Sequence, residues 1–89
     1  MATAAYTPTA RVLKAIALAD HLDGAGIRSR RVGMMSEHEW ELLSTAAAVP
    51  IPGDETRVLV ISLLRTREEI RKRLSRLRRR RTRPNKHVM

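Results

Sequence analysis

The C-terminal quarter of the chain carries most of its positive charge. The segment from Arg65 to Met89 contains twelve basic and two acidic residues, whereas the first 64 residues contain six basic and seven acidic residues. The chain is therefore divided into a nearly neutral body and a basic arm, residues 65–89. We predict a flexible N-terminus over residues 1–6, a helical core over residues 7–65, and an Arg-rich helix with a basic tail over residues 66–89.

The basic arm combines its charge with a helical period. At about 100° per residue, Ile70, Leu74 and Leu77 fall on one face of a helix. The opposite face carries Lys72, Arg76 and Arg79. This pattern predicts an amphipathic helix.

Local signals set the predicted limits of that helix. Thr66 and Glu69 fit a capping box, which predicts a new helix beginning at Thr66. Pro84 disfavours helical conformation in the residue before it, so the helix should end by about Arg83.

Two acidic residues should stabilise the first turn of this helix. Glu68 and Glu69 lie at its predicted N-terminal end, where negative charge interacts favourably with the helix dipole. Each can also pair with a cation four residues further on, Glu68 with Lys72 and Glu69 with Arg73.

The body of the chain begins with a predicted core helix. Thr7 as the N-cap and Pro8 at the first helical position should start it, and the Gly24-Ala25-Gly26 sequence should end it after about Asp23. The predicted core-facing residues of this helix are Val12, Leu13, Ile16, Ala19 and Leu22.

Two further helices are predicted in the body. Ser36 and Glu39 form a capping box before a helix over Glu37 to Ala48, whose core-facing residues are Trp40, Leu43 and Ala47. After the rigid connector 49–53, Asp54 is the predicted N-cap of a third helix, which is apolar almost all round over residues 58–64. A strand over residues 57–64 is the alternative, because VLVI is rich in β-branched residues, but the Asp54 cap favours a helix.

These patterns predict an all-α fold, a small three-helix domain with an Arg-rich amphipathic C-terminal helix. The segment from Ile27 to Met35 fits neither a helical nor a strand period, so a loop, a short strand and one helical turn beginning at Ser29 are the alternatives. With the first helix it could form a helix-turn-helix unit, although Gly33 is unfavourable in a recognition helix.

A longer segment of the body resembles known proteins. Residues 40–64, WELLSTAAAVPIPGDETRVLVISLL, are similar to a pattern in small helical proteins of actinobacteria and their phages: Trp, Leu and paired Ala, a Val-x-x-Pro connector, Glu-Thr-Arg, then Val-Ile-x-Leu-Leu. Some of those proteins are described loosely as helix-turn-helix DNA binders, so the resemblance implies a small helical regulator. It covers about a third of the chain and transfers no functional residue.

The composition of the basic arm predicts a nucleic-acid partner. Its cations are mostly arginine, whose guanidinium group binds phosphate bidentately. The crowded charges of residues 78–81 repel one another, and a phosphate backbone relieves that repulsion while releasing its counterions. We predict a regulatory or architectural factor that prefers DNA to RNA. The predicted contact residues are Arg71, Lys72, Arg73, Arg76, Arg78, Arg79, Arg80, Arg81 and Arg83, with Arg28, Arg30 and Arg31 as a second patch.

The apolar residues of the arm leave two alternatives open. Leu63, Ile70, Leu74 and Leu77 could form the seam of a homodimer, interrupted by Arg67. They could equally pack on the parent domain.

A protein-interaction module is the alternative function. The basic arm could dock on an acidic surface of a host enzyme, polymerase or ribosome, as a phage-type inhibitor would. Exposure of Trp40 together with Met34 and Met35 would favour this hypothesis, since the three would form an apolar patch.

Catalytic, metal-binding and membrane signatures are missing from the sequence. It has no cysteine, and His21, His38 and His87 lack metal-binding spacing. Acid pairs such as Asp20 and Asp23 are expected to be solvated helix faces, and we predict neither enzymatic activity nor a cofactor.

A membrane partner is not expected, because no stretch approaches the length of a span and the arm lacks Trp or Phe anchors. We expect a cytoplasmic protein, associated with the nucleoid if it binds DNA.

Overall fold

The computed structural model describes the backbone of residues 9–82 and the side chains of residues 9–80. In this part of the chain the regular elements are four α-helices: α1 (Ala10–Gly24), α2 (Ser29–Val32), α3 (Glu37–Ala47) and α4 (Asp54–Thr82). The predicted all-α fold is confirmed. The predicted flexible N-terminus 1–6, Pro8 and the basic tail beyond residue 82 lie outside the described residues.

Helix α1 starts later than the sequence predicted. Its N-cap is Thr9, whose hydroxyl oxygen accepts a hydrogen bond from the backbone N–H of Val12 at 3.3 Å. The predicted cap Thr7 lies outside the described residues, and Thr9, two residues further along, supplies the same kind of acceptor to α1. The predicted end of α1 is correct to within one residue, and Gly26 adopts the left-handed φ of 74° that lets the chain turn away.

Helix α3 follows its sequence signals closely. The Glu39 N–H donates to the Ser36 hydroxyl oxygen at 3.2 Å, and the Ser36 N–H donates to the Glu39 carboxylate at 2.9 Å. Both halves of the predicted capping box are thus present. The helix ends at Ala48, which has a left-handed backbone (φ 57°, ψ 43°).

Helix α4 replaces the two separate helices predicted for the C-terminal half. It runs for 29 residues without interruption, about 43 Å at the usual rise per residue. The prediction of a new start at Thr66 is wrong, because the preceding turn is already helical and leaves no unpaired N–H group for a cap to satisfy. The helix predicted over residues 58–64 is confirmed against the strand alternative.

The start of α4 also differs in detail. Asp54 is its first helical residue, and the Arg57 N–H donates to the Gly53 carbonyl at 3.0 Å, so Gly53 holds the cap position predicted for Asp54. Asp54 remains favourable there, since its carboxylate lies in the first turn near the positive end of the helix dipole.

The core lies where α1 packs against both α3 and α4, while α2 packs against α4. The buried face of α1 is rotated from the predicted one: Leu13 is 55% exposed, whereas Ala15 and Leu18 are buried. The core consists of Ala15, Leu18, Ala19, Leu22, Val32, Trp40, Leu43, Val60 and Leu64.

Arg57 ties the connector and α3 to the beginning of α4. Its guanidinium donates two hydrogen bonds to the Glu37 carboxylate, at 2.9 and 2.5 Å, and one to the Pro52 carbonyl at 2.9 Å. It also lies 5.1 Å from the centre of the Trp40 ring, within range of a cation–π interaction. One side chain thus joins three segments around the buried Trp40.

Burial divides α4 into two parts. Thr56, Val60 and Leu64 are buried in the core, whereas every residue from Glu69 to Arg80 is exposed. We call residues 69–80 the exposed segment.

Across the described residues, none of the helices is both long and apolar enough to span a membrane.

The left-handed backbone of Ala48 at the end of α3 can be tested by substitution with glycine. Ala48→Gly should stabilise the protein by up to about 1 kcal/mol, because relief of the left-handed strain exceeds the entropy that glycine adds to the unfolded chain. Ala46→Gly, at an exposed position inside α3, should instead destabilise it by about 1 kcal/mol. Urea unfolding measures both, and a loss of stability in both variants would contradict the assigned backbone at Ala48.

Candidate nucleic-acid interface

The exposed segment presents cations on three sides of its helix. Lys72, Arg76 and Arg79 lie opposite the apolar residues, and arginines also border those residues on both sides. No acidic residue follows Glu69 in the chain. The exposed segment therefore contains six predicted contact residues, all of them exposed: Lys72, Arg73, Arg76, Arg78, Arg79 and Arg80.

The remaining predicted contacts of the arm are placed differently. Arg71 is exposed but paired with α1, its Nη2 lying 2.9 Å from an oxygen of Asp23. Arg81 is helical in its backbone, but its side chain lies outside the described residues, and so does the whole of Arg83.

Asp23 binds two arginines where the exposed segment begins. One carboxylate oxygen lies 2.9 Å from Arg67 and the other 2.9 Å from Arg71, while Arg67 also contacts Asp20 at 2.8 Å. The expectation of a solvated helix face is wrong for Asp23, whose side chain is only 18% exposed, because α4 passes close enough for two arginines to reach it, while Asp20 is mostly exposed and pairs with Arg67. Sequence reasoning missed this cluster, since its members are more than forty residues apart.

The electrostatics of Asp23 reflect this pairing. Partial burial raises the pKa of Asp23, but hydrogen bonds and attraction from Arg67 and Arg71 outweigh it and hold the pKa below its ordinary value of 3.8. The same contacts raise the pKa of the Arg67 guanidinium, which stays charged throughout the physiological range. The cluster thus stays ionised at neutral pH and joins α1 to α4.

Glu68 holds α2 against α4. Its two carboxylate oxygens accept hydrogen bonds from the backbone N–H and the hydroxyl of Ser29, each at 2.8 Å. The bond from the backbone N–H is the main reason that the pKa of Glu68 lies below its ordinary value of 4.5. Glu68 therefore caps the single turn of α2 from a distant part of the chain.

This contact explains why the predicted pairs within α4 do not form. Glu68 is bound to Ser29 and not to Lys72, and Lys72 instead lies 3.9 Å from Glu69. The predicted pair of Glu69 with Arg73 is consequently wrong as well. Arg73 is exposed on the helix surface.

The second predicted patch meets the exposed segment near Glu68. Arg28 lies close enough to Glu68 to lower its pKa by attraction, and Lys72 acts on the same carboxylate. Arg30 is exposed, whereas Arg31 is bound to Glu39 of α3. The structure thus brings Arg28 beside the arm but assigns Arg31 to a contact inside the fold.

Residues 27–35 do not supply a recognition helix. Among the three alternatives left by the sequence, the structure has one helical turn beginning at Ser29, and α2 spans only four residues. A recognition helix must present several side chains along a groove. The helix-turn-helix interpretation of α1 with this segment is therefore wrong, because α2 ends too soon.

The apolar residues of the exposed segment are not packed on the core. Ile70, Leu74 and Leu77 are 51%, 50% and 53% exposed, while Leu63 is half-buried against the core. Packing of the whole set on the parent domain is therefore wrong. A homodimer seam formed by these four residues stays a prediction.

Trp40 does not form an exposed patch with the two methionines. It is buried, with 3% of its surface exposed, while Met34 is 67% exposed and Met35 is half-buried. In the described part of the chain, no cluster of three or more His, Cys, Asp or Glu side chains could hold a metal ion. His87 lies outside the described residues.

In comparisons with known proteins, no family model matches the chain, and neither a curated protein nor a solved structure matches it. The resemblance of residues 40–64 to small actinobacterial and phage proteins stays a prediction. The geometry and charge of α4 must therefore support any functional proposal.

The contribution of the Asp23 ion pairs to stability can be tested by neutralising Asp23. Asp23→Asn should destabilise the protein by about 1–2 kcal/mol at pH 7, because a half-buried carboxylate loses two charged partners. Because folding lowers the pKa of Asp23, its contribution to stability is fully present well above pH 3.8 and is lost as the pH falls through the folded-state pKa, which lies below 3.8.

Urea unfolding between pH 7 and pH 2 measures this effect. Asp20→Asn is the matched control and should cost less than about 0.5 kcal/mol, since that carboxylate is mostly exposed. A deficit of the Asp23 variant that is unchanged at pH 2 would contradict an ionic origin.

Proposed function

We propose that this protein binds nucleic acid, preferring double-stranded DNA, through phosphate contacts made by the exposed segment of α4. A regulatory or architectural role fits this activity better than catalysis. The observation that carries the proposal is the continuity of α4: a helix anchored in the core extends outward with exposed cations and no acidic residue after Glu69.

Anchoring favours binding because it orders the cations in advance. A disordered basic tail loses conformational entropy when it binds, whereas a helix continuous with the core has already lost it. The Asp23 contacts to Arg67 and Arg71 hold the base of the exposed segment against α1. The side chains beyond them share one rigid support.

The arrangement of charge suits the major groove of DNA. An α-helix with its side chains is about 10–12 Å wide, and the major groove of B-form DNA is about 12 Å wide. Cations on three sides of the helix can reach phosphates on both walls of such a groove. The major groove of duplex RNA is too narrow for side chains to read, which supports the preference for DNA.

Binding of this kind depends on charge more than on sequence. Each phosphate neutralised by an arginine releases condensed counterions, so affinity falls steeply with salt. The exposed segment contributes six of the predicted contacts, and Arg28 and Arg30 could extend the surface past Glu68. A DNA ligand would place the protein on the nucleoid.

Salt-dependent binding tests the proposal. Arg76→Gln combined with Arg79→Gln should weaken binding to random-sequence duplex DNA and reduce the slope of log affinity against log salt by about 1.8, from two lost phosphate contacts. Fluorescence anisotropy with a labelled duplex over a series of salt concentrations gives this slope. The effect should be equal for unrelated DNA sequences.

Arg28→Gln with Arg30→Gln is the matched control, because it removes the same charge from the second patch. We expect it to change the slope by less than half as much. Equal changes in both variants would assign the binding to net charge and not to the exposed segment, and no binding at low salt would refute the function. Tighter binding to a structured RNA than to the duplex would overturn the preference for DNA.

A further inference from the structure

Phosphate binding leaves one exposed feature of α4 without a role. Ile70, Leu74 and Leu77 are spaced four and three residues apart on one side of the helix and are about half exposed, and Leu63 lies on the same side seven residues before Ile70. We call these four residues the apolar stripe. Side chains spaced in this way form the contact face of a helix that packs against another helix.

Arg67 occupies the gap in this stripe but does not block it. Its guanidinium is bound to Asp20 and Asp23 on α1, and the side chain is only 28% exposed. The charge that interrupts the heptad in the sequence is thus neutralised on the α1 side. The approachable surface of the stripe therefore runs from Ile70 to Leu77, beyond the part that packs on the core and α1.

Arginines border the stripe on both sides. In the heptad that places Leu74 at a and Ile70 and Leu77 at d, Arg71 and Arg78 occupy e positions and Arg73 and Arg80 occupy g positions. Side chains at e and g face the flanks of a partner helix and decide which partner is accepted. The g flank, Arg73 and Arg80, is positive, whereas on the e flank Arg71 is already paired with Asp23.

These flanks disfavour a second copy of the chain. Two parallel copies would place the g-position arginines of one beside the e-position arginines of the other, and two antiparallel copies would place each flank beside itself. The parallel arrangement would bring Arg73 beside Arg78 of the second copy, and the antiparallel one would bring the g-position arginines of the two copies together, so this repulsion disfavours self-association. An anionic bilayer fits poorly too, because α4 has no aromatic residue to anchor it at the interface.

We propose that the apolar stripe is a docking surface for an acidic amphipathic helix of another protein. Such a helix carries Leu, Ile or Val at its a and d positions and Glu or Asp at e and g. Its apolar residues cover Ile70, Leu74 and Leu77, and its carboxylates pair with Arg73 and Arg80. Helix-in-groove recognition of this kind takes affinity from the apolar contacts and partner choice from the charges.

This interaction shares Arg73 and Arg80 with the proposed nucleic-acid surface but differs from it in its other contact residues. The row of Lys72, Arg76 and Arg79 lies on the opposite side of the helix from the stripe. The two surfaces can therefore be altered separately, and failure of one proposal is distinguishable from failure of the other.

A synthetic helical peptide tests the proposal on the full-length protein. The probe has three heptads with Leu at a and d and Glu at e and g, and anisotropy of the labelled peptide reports binding. Two control peptides replace either every Glu by Lys or every Leu by Ala. We expect binding of the first peptide alone, weakening with salt as charged flanks require.

Two protein variants locate the site. Leu74→Ala with Leu77→Ala should weaken peptide binding at least about tenfold, since two exposed leucines lose their apolar contacts. Leu42→Ala with Val58→Ala removes equally exposed apolar side chains elsewhere and should change affinity less than about twofold. Far-UV circular dichroism checks that both variants retain their helices, and the stripe variant should keep the wild-type salt slope with duplex DNA.

Four results would overturn the proposal. Equal binding of the Leu-free peptide would reduce the interaction to charge alone, and equal binding of the Lys peptide would remove the role of the flanking arginines. A dimer seen by analytical ultracentrifugation of the protein alone, and lost in the stripe variant, would make a second copy the occupant. Stripe-dependent binding to phosphatidylserine vesicles without peptide binding would make it a lipid surface.

Discussion

The ion pairs of Asp23 with Arg67 and Arg71 determine where the body of the protein ends and its exposed segment begins. Isolated surface pairs contribute little to stability, but a partly buried carboxylate that bonds two guanidinium groups is both stronger and more directional. The contact joins the end of α1 to α4 one turn beyond the last buried residue, Leu64. Every described side chain beyond this point is exposed, so the orientation of these cations depends on this cluster.

Helix α4 connects two environments that the sequence suggested were separate. Its first half is apolar and buried, its second half is strongly basic and exposed, and the backbone hydrogen bonds continue through the boundary. Packing of the first half stabilises the second, which has too many like charges to be a stable helix alone. Two charged side chains at this boundary bind other helices: Glu68 binds Ser29 of α2, and Arg67 binds Asp23 of α1. The crowded cations of α4 follow these two residues in the chain.

Local sequence signals predicted the features that local interactions decide. The all-α class and the capping box of Ser36 and Glu39 followed from short-range patterns, and both are present. The signals failed where distant residues compete: Thr66 resembles a helix start but lies within a helix already formed, and Glu68 bonds Ser29 in preference to a neighbour four residues away. The positions of Arg71 and Lys72 could not be predicted for the same reason. Which arginines bind carboxylates and which face solvent depends on how α1 and α4 pack.

The length of the exposed segment gives it the mechanics of a lever. Twelve residues beyond the last half-buried position extend about 18 Å, so a tilt of about 10° at Asp23 moves the far end by about 3 Å. That displacement is close to the rise along the DNA axis per nucleotide of one strand, about 3.4 Å. A small loosening at the pivot would therefore shift the outermost arginines by roughly one nucleotide, while those nearest the core would hardly move. Positional accuracy thus declines along the helix with distance from α1.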